Sequence, residues 1–514
     1  MKLFTTSDIR AIDKQTVETE GVSSLELVKR AARGITEEIT KRWSQSHPVV
    51  IFAGPGNNGA DGLATAINLL ASGYHPSIYL FNIGGNMLGK NCKTLRDELK
   101  SLGTSVDFNE VTGQFTIPEL TSRHIVIDSL FGTGLRDELT GGFKSLVRYI
   151  NESDATIVSI DVPSGMSGDL TCTNVNRNII HANLTIAIEF PRISFFVKNN
   201  ADLVGEWVIV NIGLSHKAIS ETPTNFHLVE GNEIRRLLRH RHPFSSKADY
   251  GSALLIAGSY GMMGAAVLSA KGALRAGAGK VTVHSPQCGY EILQSSVPEA
   301  MFDADSNKLI VSDMIPRNTF SSIAVGPGLG TNEQTINALD TFLKTVKHPV
   351  VLDADALNCI AKRPMLLINK DIPVLSVLTP HAGEFDRLFG DQPDEETRLL
   401  RAIEVAKQYE ILIVLKGHYT ALVRPDGKVY FNSTGNAAMA TGGSGDVLTG
   451  IICSLMAQGY KPEVSALIGS YVHGLAGELA SEEHGEYGVT AGDIAKNVGK
   501  AIKQIMNTKT NSIK

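Results

Sequence analysis

Short runs rich in Val and Ile, each closed by turn residues, recur along the whole chain and restrict it to few architectures. In the first half they are VVIF (49–52), IVID (125–128), TIVSID (156–161) and LTIAIE (184–189). In the second they are ALLIAG (253–258), KVTVH (280–284), SIAVG (322–326), PVVLD (349–353) and ILIVL (411–415). Continuous apolar runs of this length suit strands buried on both faces, as in parallel sheets. Amphipathic segments between them, such as DGLATAINLLASG (61–73) and AAVLSAKGALRAG (265–277), suit crossover helices. The pattern predicts an α/β chain. Its 514 residues exceed one ordinary core. The break is expected near 215–245, a polar, basic stretch with prolines, which places one domain at 1–220 and another at 225–514. The segment before the first strand reads as helical, closing on ITEEITKRW. The two halves carry different glycine loops and are not copies of each other.

Charge and cysteine usage exclude several classes of function. Lys+Arg total 48 against 53 Asp+Glu, with no basic stripe of the kind that binds a nucleic-acid duplex. The five cysteines, Cys92, Cys172, Cys288, Cys359 and Cys453, show no zinc or redox spacing and fit free thiols in a reducing compartment. MKLFTTSDIR lacks an apolar signal core, and no uncharged apolar run reaches the ~20 residues that span a bilayer. The expectation is a cytoplasmic protein with small-molecule ligands, and with neither nucleic acid nor membrane as partner.

Gly54-Pro55-Gly56-Asn57-Asn58-Gly59 fits G-x-G-x-x-G between a strand and a helix. As a dinucleotide fingerprint it is weak, because the next strand, SIYLFNIGG, offers Asn82 where an acidic residue is wanted. The loop still presents backbone N–H groups and a helix N-terminus to an anion. The plain alternative is a tight turn with Asp61 as a helix cap. Two more strands end in polar groups: Asp128 before Gly132-Thr133-Gly134, and Asp161 before Pro163-Ser164-Gly165. Ligands of open α/β sheets sit outside the carboxyl ends of strands, so three such ends can share one crevice.

The set NNGAD (57–61), DSLFGTGL (128–135) and DVPSG (161–165) resembles NAD(P)H-hydrate epimerases over most of residues 1–215. The resemblance implies a Rossmann-like three-layer domain. It implies that Asn57, Asn58, Gly59, Ala60 and Asp61, with Gly132, Thr133, Gly134, Leu135, Arg136, Asp137 and Glu138, contact a hydrated nicotinamide nucleotide. It further implies potassium held by Asn58, Asp128 and Ser164, and Asp161 as the catalytic acid/base. Epimerising a carbinolamine carbon needs proton transfer, which a carboxylate can perform. Two departures flank the loops: Arg192 stands where many relatives have lysine, and ELVKRAARG replaces a Met-Glu-x-Ala-Gly run.

The sharpest signal lies at Met439–Gly450, MATGGSGDVLTG, a glycine loop running into the apolar segment VLTGIICSLMA. N–H groups at such a helix start form an anion hole, and an Asp there can take a proton from an attacking hydroxyl. An isolated Gly445-Asp446 would be no more than a first-turn acid. Here it has company: Lys416-Gly417 ending a strand before the hairpin ALVRPDGKVYF, His381 and Glu384 at a strand-to-helix junction, and Asp353 and Asp355 at another strand end, suited to magnesium or its waters.

From about Lys247, the motifs GSALLIAGS, GKVTVHSP, AVGPGLG, TPHAGEFDRL and GGSGDVLTG resemble the ADP/ATP-dependent NAD(P)H-hydrate dehydratases, a ribokinase-like family. The resemblance implies that Ala253, Gly328, His381 and Asp446 contact the hydrated nicotinamide. Lys416, Gly417, His418, Tyr419 and Thr420, with Gly445, would contact the adenine nucleotide. Asp446 becomes the catalytic residue, ADP the cosubstrate and a homo-oligomer the expected assembly. GxxxxGK[ST] is absent, so this is no Walker-type NTPase. The competing expectation is a kinase for a small hydroxymethyl heterocycle, fused to a nucleotide-binding module.

Overall fold

In the computed structural model, described over residues 1–103, 106–135, 137–171, 178–315 and 319–507, the chain forms two compact units. One is Lys2–Thr224; the other is Asn225–Lys514 together with Met1.

The first unit is built on seven strands: β1 (Val49–Ala53), β2 (Ser77–Phe81), β3 (Phe108–Val111), β4 (Ile125–Ser129), β5 (Thr156–Ile160), β6 (Leu184–Ile188) and β7 (Glu206–Val210). All neighbours pair in parallel, in the order β3-β2-β1-β4-β5-β6-β7. Every residue of β1 and β4 is buried, because side chains alternate between two cores. Ile51, Ile125 and Ile127 join the helices Thr6–Glu20, Ser24–Arg42 and Asn57–Ala71 on one face. Val50, Phe52 and Val126 join the helix Gly141–Asn151 on the other. The result is a three-layer, Rossmann-like sandwich. Its strand order reverses between β1 and β4, and ligand crevices of such sheets open at that point.

The second unit has ten strands: β8 (Phe226–Val229), β9 (Ser252–Ile256), β10 (Lys280–Ser285), β11 (Met301–Ala304), β12 (Ser322–Val325), β13 (Val351–Leu352), β14 (Val377–Leu378), β15 (Leu412–Leu415), β16 (Ala421–Val423) and β17 (Val429–Asn432). They lie in the order β8-β17-β16-β15-β14-β13-β12-β9-β10-β11. The pairing is parallel except around the hairpin strand β16. Gly427, at φ +83°, supplies the left-handed residue that the Pro425-Asp426-Gly427 turn requires. The runs at 349–353 and 376–379 give strands of only two residues each.

The helix Ser444–Ala457, buried from Val447 onward, packs on the helix Met263–Arg275. Their backbones meet at glycines: a β-carbon at Gly450 would stand 2.0 Å from Ser269 O, and one at Gly272 2.5 Å from Val447 O. Gly450→Ala is therefore expected to destabilise this unit by about 1–3 kcal/mol through overpacking, read as a lower urea midpoint. An unchanged midpoint would mean that the helices separate freely.

Candidate active sites

In the first unit a cavity of about 830 Å³ opens at the β1/β4 reversal. Asn57, Asn58 and Asp61 line it from the helix after β1, Gly132, Thr133, Gly134 and Leu135 from the loop after β4, and Asp161 from the end of β5. The helix Asn57–Ala71 starts after Gly56 without a side-chain cap, which leaves its first N–H groups facing the cavity. Asp61 is thus no cap. It sits one turn into the helix, buried, and burial first, then Asp161 and Asp13, push its carboxyl well above the usual range.

Not every residue implied by the resemblance reaches this cavity. Gly59 and Ala60 are buried in the helix, where a β-carbon on Gly59 would stand 1.8 Å from Gly54 O. Asp137 and Glu138 are exposed outside the lining, and Glu138 accepts a hydrogen bond from Asn178. Arg136 lies outside the described residues.

Asp128 and Ser164 lie behind the cavity wall, tightly joined. Asp128 is fully buried and accepts from Ser164 Oγ (2.5 Å), Ser164 N (2.8 Å), Ser159 Oγ (2.7 Å) and Leu130 N (3.3 Å). Burial outweighs these bonds and raises its carboxyl. Asn58 is buried with both amide atoms unpartnered, and its Oδ1 is a free acceptor of the kind that a monovalent cation coordinates.

Five further charged residues line the cavity: Arg10, Asp13, Lys14, Glu189 and Arg192. Arg192 is buried and donates to Asp161 Oδ1, while its Nε and Nη1 have no partner. Asp13 is pushed up to about 6, mainly by burial, against the opposing pull of Arg192. Asp161 and Glu189 end adjacent strands with left-handed backbones, φ +69° and +61°. Only Arg192 carried a sequence signal, its departure from lysine. Asp13 and Glu189 come to the cavity through tertiary packing, which no local pattern announces.

In the second unit the polar groups gather beyond the ends of β13, β14 and β15 and at the start of the helix Ser444–Ala457. Gly443 caps that helix at φ +90°, and Gly445 packs so closely that a β-carbon there would lie 3.0 Å from Lys416 Nζ. Lys416 Nζ donates to Asp353 Oδ1 at 2.6 Å, and Thr449 Oγ1 to Asp353 Oδ2 at 2.6 Å. Asp353 therefore clamps the end of β15 to the helix. Asp355 accepts from Gly330 N and Asn358 Nδ2. The pair expected to hold magnesium is thus engaged by protein donors, and the described residues contain no cluster of three or more His, Cys, Asp or Glu fit for a metal.

Asp446 is pushed up to about 7 by burial first and by Asp353 second, with Lys416 pulling the other way. A carboxylate so poised can exchange a proton near neutrality. His381 caps the helix Ala382–Phe389: its Nδ1 accepts from Gly383 N and Glu384 N, and Glu384 accepts from His381 N. Its ring remains half exposed at the crevice edge. Gly328, at φ +63°, would press a β-carbon to 2.6 Å from Met262 O, so the loops after β12 and β9 interlock. Ala253 does not join them. It is fully buried in the core, second in β9, where the strand points its other end at the crevice.

Gly417, His418, Tyr419 and Thr420 form the turn between β15 and β16, closed by Thr420 Oγ1 on Gly417 O. His473, which the sequence did not flag, is buried beneath this site. It bonds Ser444 O (2.9 Å) and Ser444 Oγ (3.2 Å), and burial lowers it to about 4. A neutral imidazole braces the glycine loop from below.

Fold and site together define a two-unit α/β enzyme, Rossmann-like in the first unit and ribokinase-like in the second. Residues 24–194 match the YjeF-related N-terminal family, and residues 253–500 match the NAD(P)H-hydrate dehydratase family. Bifunctional NAD(P)H-hydrate repair enzymes of Thermofilum pendens and Moorella thermoacetica are 31% and 33% identical. The first alignment covers 98% of this chain and 97% of the relative; the second covers 96% and 95%. The crystal structure of a Bacillus subtilis ADP/ATP-dependent NAD(P)H-hydrate dehydratase, co-crystallised with ATP/Mg2+, superposes with a TM-score of 0.50 at 35% identity. It covers 55% of this chain and 100% of that one. This chain belongs to the family of bifunctional NAD(P)H-hydrate repair enzymes. Among its described residues no helix is long and apolar enough to cross a membrane.

Proposed function

We propose that this chain restores hydrated NADH and NADPH, exchanging the R and S hydrates in its first unit and dehydrating the S form in its second at the expense of ADP. The observation that carries this reading is Asp446, poised near neutrality at the glycine-loop helix start beside Lys416, in a chain whose other unit holds Asp161 in a nucleotide-sized cavity. A kinase for a hydroxymethyl heterocycle fused to a nucleotide-binding module would need no acid such as Asp161 in the first unit's cavity.

In the dehydratase site, Asp446 takes the proton of the hydrate hydroxyl, whose oxygen attacks the terminal phosphate of ADP. AMP leaves, and the ring nitrogen then expels phosphate from the phosphorylated hydrate. Loss of a ring proton restores the dihydronicotinamide. Phosphorylation makes a good leaving group of a hydroxyl, which suits a kinase-like crevice to dehydration. Lys416 and the N–H groups around Gly445 hold the phosphates, the 417–420 turn grips the rest of the nucleotide, and His381 and Gly328 flank the nicotinamide. Magnesium, carried on the nucleotide, screens the charge of the phosphates.

In the epimerase site, Asp161 moves the proton at the carbinolamine, held in place by Arg192. Asn58, Asp128 and Ser164 would hold potassium, which would fix the loops that carry them; the unpartnered Oδ1 of Asn58 fits that role.

A mixed hydrate supplied with ADP, or separately with ATP, should regain dihydronicotinamide absorbance completely; no recovery with either nucleotide would refute the proposal. Exchange of potassium chloride for tetramethylammonium chloride in that assay should slow consumption of the R form, and an unchanged rate would remove potassium from the site. The pH profile follows from Asp446. Raised to about 7, it is a competent base only above that value, so dehydration should fall about tenfold per unit below it. A flat profile between about pH 5.5 and 8 would exclude Asp446 as the proton acceptor.

A further inference from the structure

A second cleft of about 850 Å³ lies in the C-terminal unit, away from the glycine loop. Its walls come from the segment after Leu238, the C-terminal ends of the helices Met263–Arg275 and Ser444–Ala457, and the last turns of the helix Ala491–Asn507. Asp446 stands at the opposite end of the helix Ser444–Ala457 from Gln458, which lines this cleft. At 1.5 Å per residue that separation is about 18 Å. The two places cannot share one small ligand's reactive end.

The cleft is strongly basic. Arg239, Arg241, Arg275 and Lys503 line it, with His240 and His242, against the single carboxylate of Asp249. Among the described residues, none of these four cations makes an ion pair. Two are held in place by other means. Arg241 stacks 3.9 Å over the Tyr250 ring and donates to Gly277 O, while Arg239 stacks 4.4 Å over Tyr460 and donates to Gly459 O. Each bond uses one edge of a guanidinium fork and leaves other donors open. Pre-positioned arginines without counter-charge lose little entropy on binding an anion and recognise phosphate by geometry. Asp249 accepts from Ser246 N and Oγ through its Oδ2 and makes no ion pair with these four cations, so one carboxylate stands against four.

The floor is apolar, formed by Leu238, Leu274, Leu455, Ile502 and Met506. Cations at the rim and aliphatic groups below suit a ligand with a phosphate chain and an organic body. The volume matches a nucleotide rather than a single phosphate ion.

We propose that this cleft is a second ligand site that binds a phosphorylated small molecule of nucleotide size, with Arg239, Arg241, Arg275 and Lys503 on its phosphates. It does not rest on the catalytic reading of either unit.

The test is calorimetric titration of the full-length protein at low ionic strength with inorganic tripolyphosphate and with ADP, comparing wild type with R275Q/K503Q. The double variant should lose one site for both ligands, or show it weakened at least about tenfold, as loss of charge-assisted phosphate bonds predicts. Its dehydration rate at saturating ADP should be unchanged. A charge-conserving R275K/K503R variant should keep the site. Tripolyphosphate binding without ADP binding at this site would overturn the organic part of the proposal. Identical titrations of wild type and R275Q/K503Q, or loss in the lysine–arginine exchange as well, would overturn it entirely. So would a mixed-sequence DNA duplex that binds more tightly than tripolyphosphate and is lost in R275Q/K503Q, since the cleft would then be part of a nucleic-acid surface.

Discussion

Asp446→Asn is expected to lower dehydration by about 10³-fold while epimer exchange persists. The side chain keeps its size at the helix start, and Gly443, Ser444 and Gly445 keep their backbone donors, so nucleotide affinity should change little. What disappears is the only group at that position able to take the hydroxyl proton. Burial beside Asp353 holds the native carboxyl at about 7, which makes it a stronger base than a solvated aspartate. Stopped assays that quantify both hydrate epimers separate the two activities. A variant that retained more than about a tenth of the wild-type rate would show that another group accepts the proton. One that lost both activities with an unchanged melting curve would contradict two independent sites.

The second large effect belongs to the other unit. Asp161→Asn should slow epimer exchange by about 10²–10³-fold and leave the S form consumed at its normal rate. Arg192 gives this substitution a further consequence. In the native cavity its buried guanidinium is balanced by Asp161. The asparagine leaves a buried cation without its partner, at a stability cost of about 3 kcal/mol in this unit. Epimer exchange followed by chromatography of each hydrate, against spontaneous exchange without enzyme, gives the rate. Urea unfolding gives the stability. Undiminished exchange would move the proton transfer to Asp13 or Asp61, two carboxylates of the same cavity that burial raises.

The parallel strands and their glycine-bearing ends were legible in the sequence because they depend on local pattern. A five-residue apolar run such as VVIFA, followed by glycine and a helix start, has few other readings. The glycine loop before Asp446 was legible for the same reason. Long-range partnership was not. Asp353 and Lys416 are 63 residues apart, and spacing alone did not announce that the oxygens of Asp353 accept from Lys416 and Thr449. His473 looks like any helical residue until the helix Pro462–His484 carries it beneath Ser444. Asp13 reads as a polar position on an amphipathic helix and becomes a half-buried, raised acid only when that helix closes the cavity. Ala253 shows the opposite limit: a motif can be matched while one of its members is packed into the core.

The left-handed backbone at Asp161 carries one more implication. A side chain at φ +69° is held there at a cost on the order of 1 kcal/mol relative to glycine, which adopts that conformation freely. For backbone freedom alone, glycine is the better residue at this strand end. Glycine would also strand the buried Arg192 guanidinium, a loss of about 3 kcal/mol that outweighs the backbone gain. Position 161 is therefore held by its ion pair as well as by its chemistry, and the strain can be released with a net gain only in a chain that gives up the cation at position 192 as well.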